Sequence, residues 1–364
     1  GGVDAGGNGL TGRGGTARMT VTGWGSAIQS SQTSITAYGR GGSTTTGLSG
    51  GNGVGGTAEF IIDGDSSTSI LPGDVVVGAG ASGGSASGEN ARGGNAAGGT
   101  ARVTVTGGAL VEFNSLFADA GAQSGGAVSP SQTTALSGSA IGGIVTLAVD
   151  GGSELLVDGN AALDASADAV ISDNIGSSQG GTISATASGG GVIDILGILN
   201  ASADSRSGAA GTTRSSVGSA AGGQIALTAQ NGQLVAGSVS LSAEAVTAQT
   251  TGAATNGATG GLIRLLSNGG GRILVDDFSA FNLISTNARA GFSGGGSDAT
   301  GGDIEIFADG GDISFNSDLV VVSGGVAGGD GSFSSPSVGR GGNILLRTGA
   351  DSASSMNFAG NLFA

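Results

Sequence analysis

The chain of 364 residues contains no cysteine, no histidine and no lysine, so all 12 basic residues are arginine. These absences remove the imidazole and the thiolate of most nucleophilic and zinc sites, and the amine of Schiff bases and phosphate loops. There is also no disulfide framework, although secretion does not require one. Catalysis would have to depend on carboxylates, arginine, hydroxyls or the single tyrosine, Tyr38. We therefore expect that the protein is not an enzyme.

Positive charge and long apolar runs are also scarce. The formal net charge is −15, so the surface lacks the basic stripe that would release counterions from nucleic acid. The apolar runs are a few residues long, which is too short to span a bilayer. We expect neither nucleic acid as a partner nor a membrane span. No initiator methionine or signal peptide begins the sequence, which favours a mature piece or an excerpt of a longer protein.

Glycine is abundant, with 80 residues, and it marks an internal repeat. A Gly-Gly pair followed by an apolar alternation recurs, as in "GGTARMTVTGWG" (14–25) and "GGTARVTVTGG" (98–108). The first glycine of the pair stands at positions 14, 55, 98, 142, 180, 222, 260, 301 and 341. These nine starts lie 38 to 44 residues apart. We expect their glycines to form turns, where the chain bends tightly or takes a positive φ. A repeat of about 41 residues is typical of a solenoid, in which each unit buries its apolar face against its neighbours.

Two columns of the repeat are apolar in all nine copies. The column three residues after each start reads Ala17, Ala58, Ala101, Val145, Ile183, Ile225, Ile263, Ile304 and Ile344. The column five residues after each start reads Met19, Phe60, Val103, Leu147, Ala185, Leu227, Leu265, Ile306 and Leu346. A period of two predicts a strand with one buried face. We predict that both columns point inward.

Two shorter strands and a polar excursion complete each repeat. A second glycine-containing turn precedes segments such as "DISF" (312–315) and "DLVVV" (318–322), and Gly, Ser, Ala, Thr and Asn dominate the rest. The predicted fold is all-β, a right-handed parallel β-helix (β-solenoid) that forms one continuous domain over 1–364, with the hand taken from the rule for parallel crossovers. We expect the excursions to stack as a sheet and to form no specific pocket.

Charges predict how many coils one repeat makes. The outward column four residues after each start alternates Arg18, Glu59, Arg102, and later Arg264, Glu305. Alternation is useful when the residues are neighbours about 4.8 Å apart. Two coils per repeat would separate them by about 10 Å, where screening removes the benefit. We predict one coil per repeat. The alternative is a two-coil repeat in which the excursion forms its own coil.

Stretches such as "GGTISATASGGGVIDILGILNASA" (180–203) and "GGQIALTAQNGQLVAGSVSLSAEA" (222–245) resemble the passenger regions of bacterial autotransporter and filamentous-haemagglutinin-like adhesins. The resemblance covers essentially the whole chain. It implies an extracellular or cell-surface Gram-negative protein with a β-helical shaft, active in adhesion, aggregation or a biofilm matrix, with cell-surface or matrix components as partners. Neither end looks capped, so we also expect end-to-end self-association or continuation into further repeats.

Four other functions compete with this interpretation. The segment "GGGSDATGGD" (294–303) partly matches the glycine- and aspartate-containing repeat of a calcium roll. Ca²⁺ is therefore the one cofactor considered. Its candidate ligands are Asp298, Asp303, Asp309, Asp312 and Asp330. The alternative for these residues is solvated turn aspartates. "GNGVGG" (51–56) matches a phosphate-loop pattern, but no lysine or crossover helix supports it.

A carbohydrate-active β-helix would need paired carboxylates, for which Asp150, Asp158 and Asp164 are nearest in sequence. A carboxylate-lined groove would favour this alternative. Ice binding would need an unbroken threonine rank, and the column of Thr20, Thr104, Thr186 and Thr228 is interrupted. The lone aromatics Trp24 and Tyr38 fit packing or docking near one end of the solenoid. We assign no catalytic, cofactor-binding or metal residue.

Overall fold

The computed structural model describes all residues except 1, 24, 26, 46–47, 66–68, 72, 130–134, 171, 173, 209–212, 215, 251–255, 277–280, 292–296, 328–336 and 351–352. In the part of the chain that the structure describes, every regular element is a strand, and the paired strands run parallel. The all-β parallel β-helix predicted from the sequence is confirmed.

One repeat makes one coil. Arg18 lies opposite Glu59, and Glu59 lies opposite Arg102, in adjacent strands of the same sheet. Equivalent residues of successive repeats are therefore direct neighbours along the axis. The two-coil alternative is wrong. We number the coils 1 to 9 by their Gly-Gly starts.

The first strand of every coil joins one nine-stranded sheet, which forms one face of a three-sided body. Its strands are Thr16–Thr22, Thr57–Asp63, Thr100–Thr106, Ile144–Val149, Thr182–Ser188, Gln224–Gln230, Leu262–Asn268, Asp303–Asp309 and Asn343–Thr348. The alternation of apolar and polar residues places one side of this sheet in the core.

The second and third strands form the other two faces. The second strands are Ala27–Gln29, Ser69–Leu71, Leu110–Phe113, Glu154–Val157, Arg272–Val275, Asp312–Phe315 and Ser355–Phe358. The third strands are Gln32–Thr36, Asp74–Gly78, Ser115–Asp119, Ala161–Asp164, Phe281–Ser285, Asp318–Val322 and Leu362–Phe363. In coils 5 and 6 the two are continuous, as Val192–Ser202 and Gln233–Ser242, with a register shift between Ile195 and Ile198.

The core confirms the two inward columns. Their members are buried in coils 2 to 8. In coils 1 and 9 they are partly buried and pack against the same cluster, as Ala17, Met19, Ile344 and Leu346. Aromatic rings stack from coil to coil, with ring centroids 6.0 Å apart for Phe60 and Phe113 and 5.8 Å apart for Phe315 and Phe358. Stacking of like residues on like residues makes this core continuous along the axis.

The excursions stack as predicted, and they form a thin double-layered fin on the body. One layer leaves the third strands: Gly39–Arg40, Ala81–Ser82, Ala122–Gln123, Ala167–Ala169, Ser205–Ser207, Ala245–Thr247, Ala288–Ala290 and Gly325–Ala327. The other leads into the first strands: Gly12–Arg13, Gly53–Val54, Ala96–Ala97, Ala140–Ile141, Ser178–Gln179, Ala220–Ala221, Asn256–Thr259, Ser297–Thr300 and Gly339–Arg340. Further out, Ala86–Ser87 pairs with Ala127–Val128, Asn174–Ile175 with Ser216–Val217, and Thr213–Arg214 with Gln249–Thr250.

Glycine and alanine let the two layers of the fin approach each other closely. Backbone hydrogen bonds cross between the layers and climb the fin, for example from Gly84 N to Gly51 O and from Gly94 N to Gly84 O, both 2.8 Å. A Cβ on Gly94 would lie 1.9 Å from Gly51 O. The interior of the fin is therefore backbone against backbone, with small alanine clusters filling the remaining space.

The Gly-Gly starts have the same explanation, which differs from their expected role as turns. Gly98 and Gly99 do not take a positive φ, whereas Gly107 and Gly108 of the second turn do, at 81° and 90°. The pair lies in the neck, where the chain entering the fin passes the chain leaving it. Gly99 N donates to Ala79 O at 2.8 Å, and a Cβ on Gly98 would lie 1.9 Å from Ala120 O. The pair marks a close approach of backbones.

Candidate functional site

The charged residues of the outward column form ion pairs between coils. Arg18 Nε donates to Glu59 Oε2 at 2.6 Å, and Arg102 Nη1 lies 3.7 Å from Glu59 Oε1. Glu59 is thus clamped between coils 1 and 3, with only 7% of its side chain exposed. Arg264 and Glu305 repeat the pairing in coils 7 and 8, with 2.7 Å between Nε and Oε2. These contacts link successive coils to each other.

The calcium candidates do not converge. Asp303 Oδ1 accepts from Asn343 Nδ2 at 2.8 Å, and Asp298 Oδ1 accepts from Val338 N at 3.2 Å, so each bonds to the next coil. Asp312 likewise accepts a hydrogen bond from Ser355 in coil 9. Asp330 lies outside the described residues. Within the described ranges, no three His, Cys, Asp or Glu residues are grouped to hold a metal ion.

The carboxylates proposed for polysaccharide chemistry are also separated. Asp150 follows the first strand of coil 4, Asp158 follows the second, and Asp164 ends the third. They therefore occupy three different corners of one coil. The threonine column is interrupted, since Ile61 separates Thr20 from Thr104 in the sheet register. Of the lone aromatics, Trp24 lies outside the described residues and Tyr38 lines a groove.

That groove lies on the side of the third strands, where the fin meets the body. It has a volume of about 640 Å³. Coils 1 to 4 contribute its lining, which is Tyr38, Gly39, Arg40, Gly80, Ala81, Ser82, Asp119, Gly121, Ala122, Gln123, Asp164, Ser166 and Asp168. The first residues of the excursions therefore line a recess at these coils, although no specific pocket was expected there.

Tyr38 lies lengthwise across coil 2. Its hydroxyl donates to Asp119 Oδ2 at 3.0 Å, although Asp119 belongs to coil 3. The ring covers two glycines of coil 2, since a Cβ on Gly78 would lie 2.3 Å from the Tyr38 hydroxyl oxygen and one on Gly80 would lie 2.9 Å from Cε1. Tyr38 is nevertheless 50% exposed. One face of the ring therefore rests on bare backbone, and the other faces the groove.

The carboxylates of the groove are ordered by the backbone. Asp119 Oδ1 accepts from Gly121 N at 2.7 Å, and Asp164 Oδ1 accepts from Ser166 N at 2.9 Å. Asp119 and Asp164 are direct neighbours in the sheet register, so their Cα atoms are about 4.8 Å apart. Both side chains cap the corner through Oδ1, and Asp119 Oδ2 accepts the hydrogen bond from Tyr38.

Burial makes the groove unfavourable for extra negative charge. Burial raises the pKa of Asp119 above its ordinary value, and the charge of Asp164 adds to this, while hydrogen bonds from Gly121 and Tyr38 oppose it. Burial also raises the pKa of Asp168, opposed by the charge of Arg206 and a hydrogen bond from Gln123. Burial, followed by the charge and hydrogen bond of Asp119, raises the pKa of Tyr38 to about 12. The phenol is therefore neutral at physiological pH.

The recess is local to coils 1 to 4. The corner position occupied by Gly80, Gly121 and Ser166 is filled in coils 5 to 7 by Asp204, Glu244 and Asn287. These longer side chains bond along the axis: Asp204 Oδ1 accepts from Glu244 N at 2.8 Å, and Asn287 Nδ2 donates to Glu244 Oε1 at 3.2 Å. The corner is closed there by a ladder of polar side chains, whereas the glycines of coils 2 and 3 line the groove; coil 8 again has a glycine, Gly324, at this position.

Sequence reasoning singled out Tyr38 and Asp164 but missed Asp119, Gln123 and Asp168. The corner column changes from glycine to Asp, Glu and Asn between coils 3 and 5, and this change is visible in the repeat once the coils are aligned. A second groove is lined by the Gly-Gly pairs of coils 1 to 4 with Thr16, Thr57, Thr100 and Ile144. Its lining is mostly backbone and offers few groups for recognition.

Comparisons with known proteins add no identity to this geometry. No family model, no curated protein and no solved structure matches the chain. In the described part of the chain, no helix is long and apolar enough to cross a membrane. The resemblance to adhesin passengers therefore depends on the repeat motif of the sequence.

Proposed function

We propose that this chain is a structural β-solenoid, part of the shaft of an extracellular bacterial surface adhesin or filament. The observation that carries the proposal is the unbroken first-strand sheet, which has nine parallel strands in one order from coil 1 to coil 9. Hydrogen bonds between parallel strands of successive coils run along the axis, so the same bonds that define the fold resist its extension. A continuous apolar core supports them.

Electron microscopy of negatively stained, purified chain tests the shaft. Nine coils at about 4.8 Å each give a rod of about 43 Å, and we expect rods of that length or end-to-end multiples of it. Compact round particles would contradict the proposal. Immunogold labelling of intact cells of the source organism tests the surface location, and labelling only after lysis would contradict it.

We also propose that the shaft contacts copies of itself end to end. Coil 9 presents Ile344, Leu346, Met356 and Phe358 half-buried against the core, and an apolar cross-section of this kind is covered by another coil. Light scattering at increasing protein concentration tests this, with growth in apparent length as the expected result. A monomer of constant mass at all concentrations would contradict self-association.

Polysaccharide cleavage is a second candidate, because Asp119 and Asp164 lie on neighbouring coils of one groove. Retaining glycosidases hold two carboxyl groups about 5 Å apart on either side of the scissile bond. Here both carboxylates belong to one side of the groove and cap the same corner, so we rank it second. Release of reducing ends that an Asp164→Asn change abolishes would establish cleavage and overturn our assignment of a non-enzyme.

A further inference from the structure

We propose that the groove of coils 1 to 4 binds an oligosaccharide without acidic groups, with one sugar ring stacked on the open face of Tyr38. The shaft proposal and this one are independent, since a shaft needs no groove and a groove needs no end-to-end assembly.

The groove is built by specific residues. The same corner is filled by Asp204, Glu244 and Asn287 in coils 5 to 7 and is emptied by Gly80 and Gly121 in coils 2 and 3. The only tyrosine in the chain, Tyr38, lies over the glycine at this corner of coil 2.

Tyr38 is held in a fixed orientation. Its ring rests on Gly78 and Gly80, and its hydroxyl is anchored on Asp119 at 3.0 Å. A ring held in this way loses little conformational entropy when a ligand covers its open face. An aromatic face with a covered back is a flat apolar platform, which suits the apolar C–H face of a pyranose ring.

The walls of the groove carry groups that form hydrogen bonds. The carboxylates of Asp119, Asp164 and Asp168, the amide of Gln123 and the hydroxyls of Ser82 and Ser166 line the recess. Carboxylates accept hydrogen bonds and an amide both donates and accepts, so this lining suits a ligand with many hydroxyl groups. The described bonds of Asp164 engage Oδ1, and its Oδ2 has acceptor capacity for a ligand.

The groove has an excess of negative charge. Three carboxylates and one guanidinium, that of Arg40, line the groove, and the whole chain carries −15. Burial already raises the pKa of Asp119 and of Asp168. A uronic acid chain would add negative charge to this site, and we expect it to be rejected. A neutral or amine-bearing hexose chain meets no such penalty.

Titration calorimetry with three hexasaccharides tests the proposal: a neutral glucan, a glucosamine oligomer and a galacturonate oligomer. We expect binding of the first two and none of the third. Tyr38→Ala should weaken binding of the neutral glucan at least about tenfold, which corresponds to about 1.4 kcal/mol, and Tyr38→Phe should weaken it less because the platform remains. Equal binding of the galacturonate, or no binding of the neutral glucan, would overturn the proposal.

A matched pair of glycine variants locates the site. Gly121→Glu introduces into coil 3 the residue that fills this corner in coil 6, and a Cβ there would come no closer than 3.1 Å to a neighbouring atom, Asp119 Oδ1. Gly324→Glu makes the same change of size and charge in coil 8, outside the groove. We expect Gly121→Glu to abolish binding of the neutral glucan, and Gly324→Glu to preserve it.

Circular dichroism melting of both glycine variants verifies that they fold, and if Gly121→Glu does not fold, the Tyr38 pair decides the question. Equal loss of binding in both folded variants would overturn the location of the site. If tetramethylammonium displaced the neutral glucan and bound with a similar affinity, the Tyr38 face would be a site for organic cations. This result would also overturn the proposal.

Discussion

Replacing Gly99 by alanine tests the origin of the Gly-Gly signature most directly. The new Cβ would lie 2.0 Å from Gly56 O and 2.7 Å from the carbonyl carbon of Gly55. Both are backbone atoms of the coil below, which cannot rotate away as a side chain does. Coil 3 must therefore shift relative to coil 2. The shift also strains the 2.8 Å bond from Gly99 N to Ala79 O.

The size of the effect follows from three terms. Inserting a methyl group into a filled space costs about 1–3 kcal/mol. Weakening the backbone hydrogen bond adds about 0.5–1.5 kcal/mol. Alanine lowers the entropy of the unfolded chain, which returns about 0.4–1 kcal/mol. We expect the free energy of unfolding to fall by about 0.5–4 kcal/mol.

Gly15→Ala is the matched control. Gly15 holds the same place in coil 1, where a Cβ would meet nothing within 4 Å. Here only the entropic term remains, so we expect a slight gain in stability. Urea unfolding followed by circular dichroism measures both variants, and hydrogen exchange in coils 2 and 3 separates local from global loss, because long repeat arrays need not unfold in one step. If Gly99→Ala were as stable as Gly15→Ala, close approach of backbones would not explain the signature.

Three further predictions concern the core, the ion pairs and the groove. Ile263→Asp places a charge at a fully buried position and should cost several kcal/mol, whereas Leu266→Asp on the outward side should cost much less; equal melting temperatures would refute the inward assignment. Glu59→Gln should lower the free energy of unfolding by about 1 kcal/mol, and by more than Glu305→Gln does, because the side chain of Glu59 is 7% exposed and that of Glu305 is 33% exposed. High salt should reduce the difference between the two variants. A larger loss for Glu305→Gln would contradict the prediction. The raised pKa of Asp119 means that the folded state binds its proton more tightly, so this residue lowers stability as the pH rises through its folded pKa. Asp119→Asn should flatten that part of the curve of stability against pH, and an unchanged slope would contradict the assignment.

The sequence alone was sufficient for the body of the solenoid. The apolar columns through Ile263 and Leu265 repeat in all nine copies, and a side chain that alternates in and out leaves this periodic trace whatever the rest of the chain does. The alternation of Arg18, Glu59 and Arg102 was sufficient for one coil per repeat, because only neighbours benefit from opposite charge. Local chemistry carried both inferences.

The fin and the groove were decided by tertiary structure. Glycine, alanine and serine have almost no side-chain signal, so the sequence of an excursion predicts a stacked sheet but does not reveal two layers that exchange hydrogen bonds across the fin. The Gly-Gly pairs read as turns, and only the stacking of coils shows that backbone atoms of Gly56 and Ala79 occupy the space a Cβ would need.

The candidate site follows the same rule. Tyr38 and Asp119 are 81 residues apart, and nothing local to either connects them. They meet because only coil 2 lies between them along the axis and because Gly78 and Gly80 leave that coil bare. A periodic pattern in sequence specifies which side of a strand is buried, since burial acts on each residue separately. A recess depends on which side chains are missing from three or four stacked coils at once, and only the register of those coils brings the missing positions together.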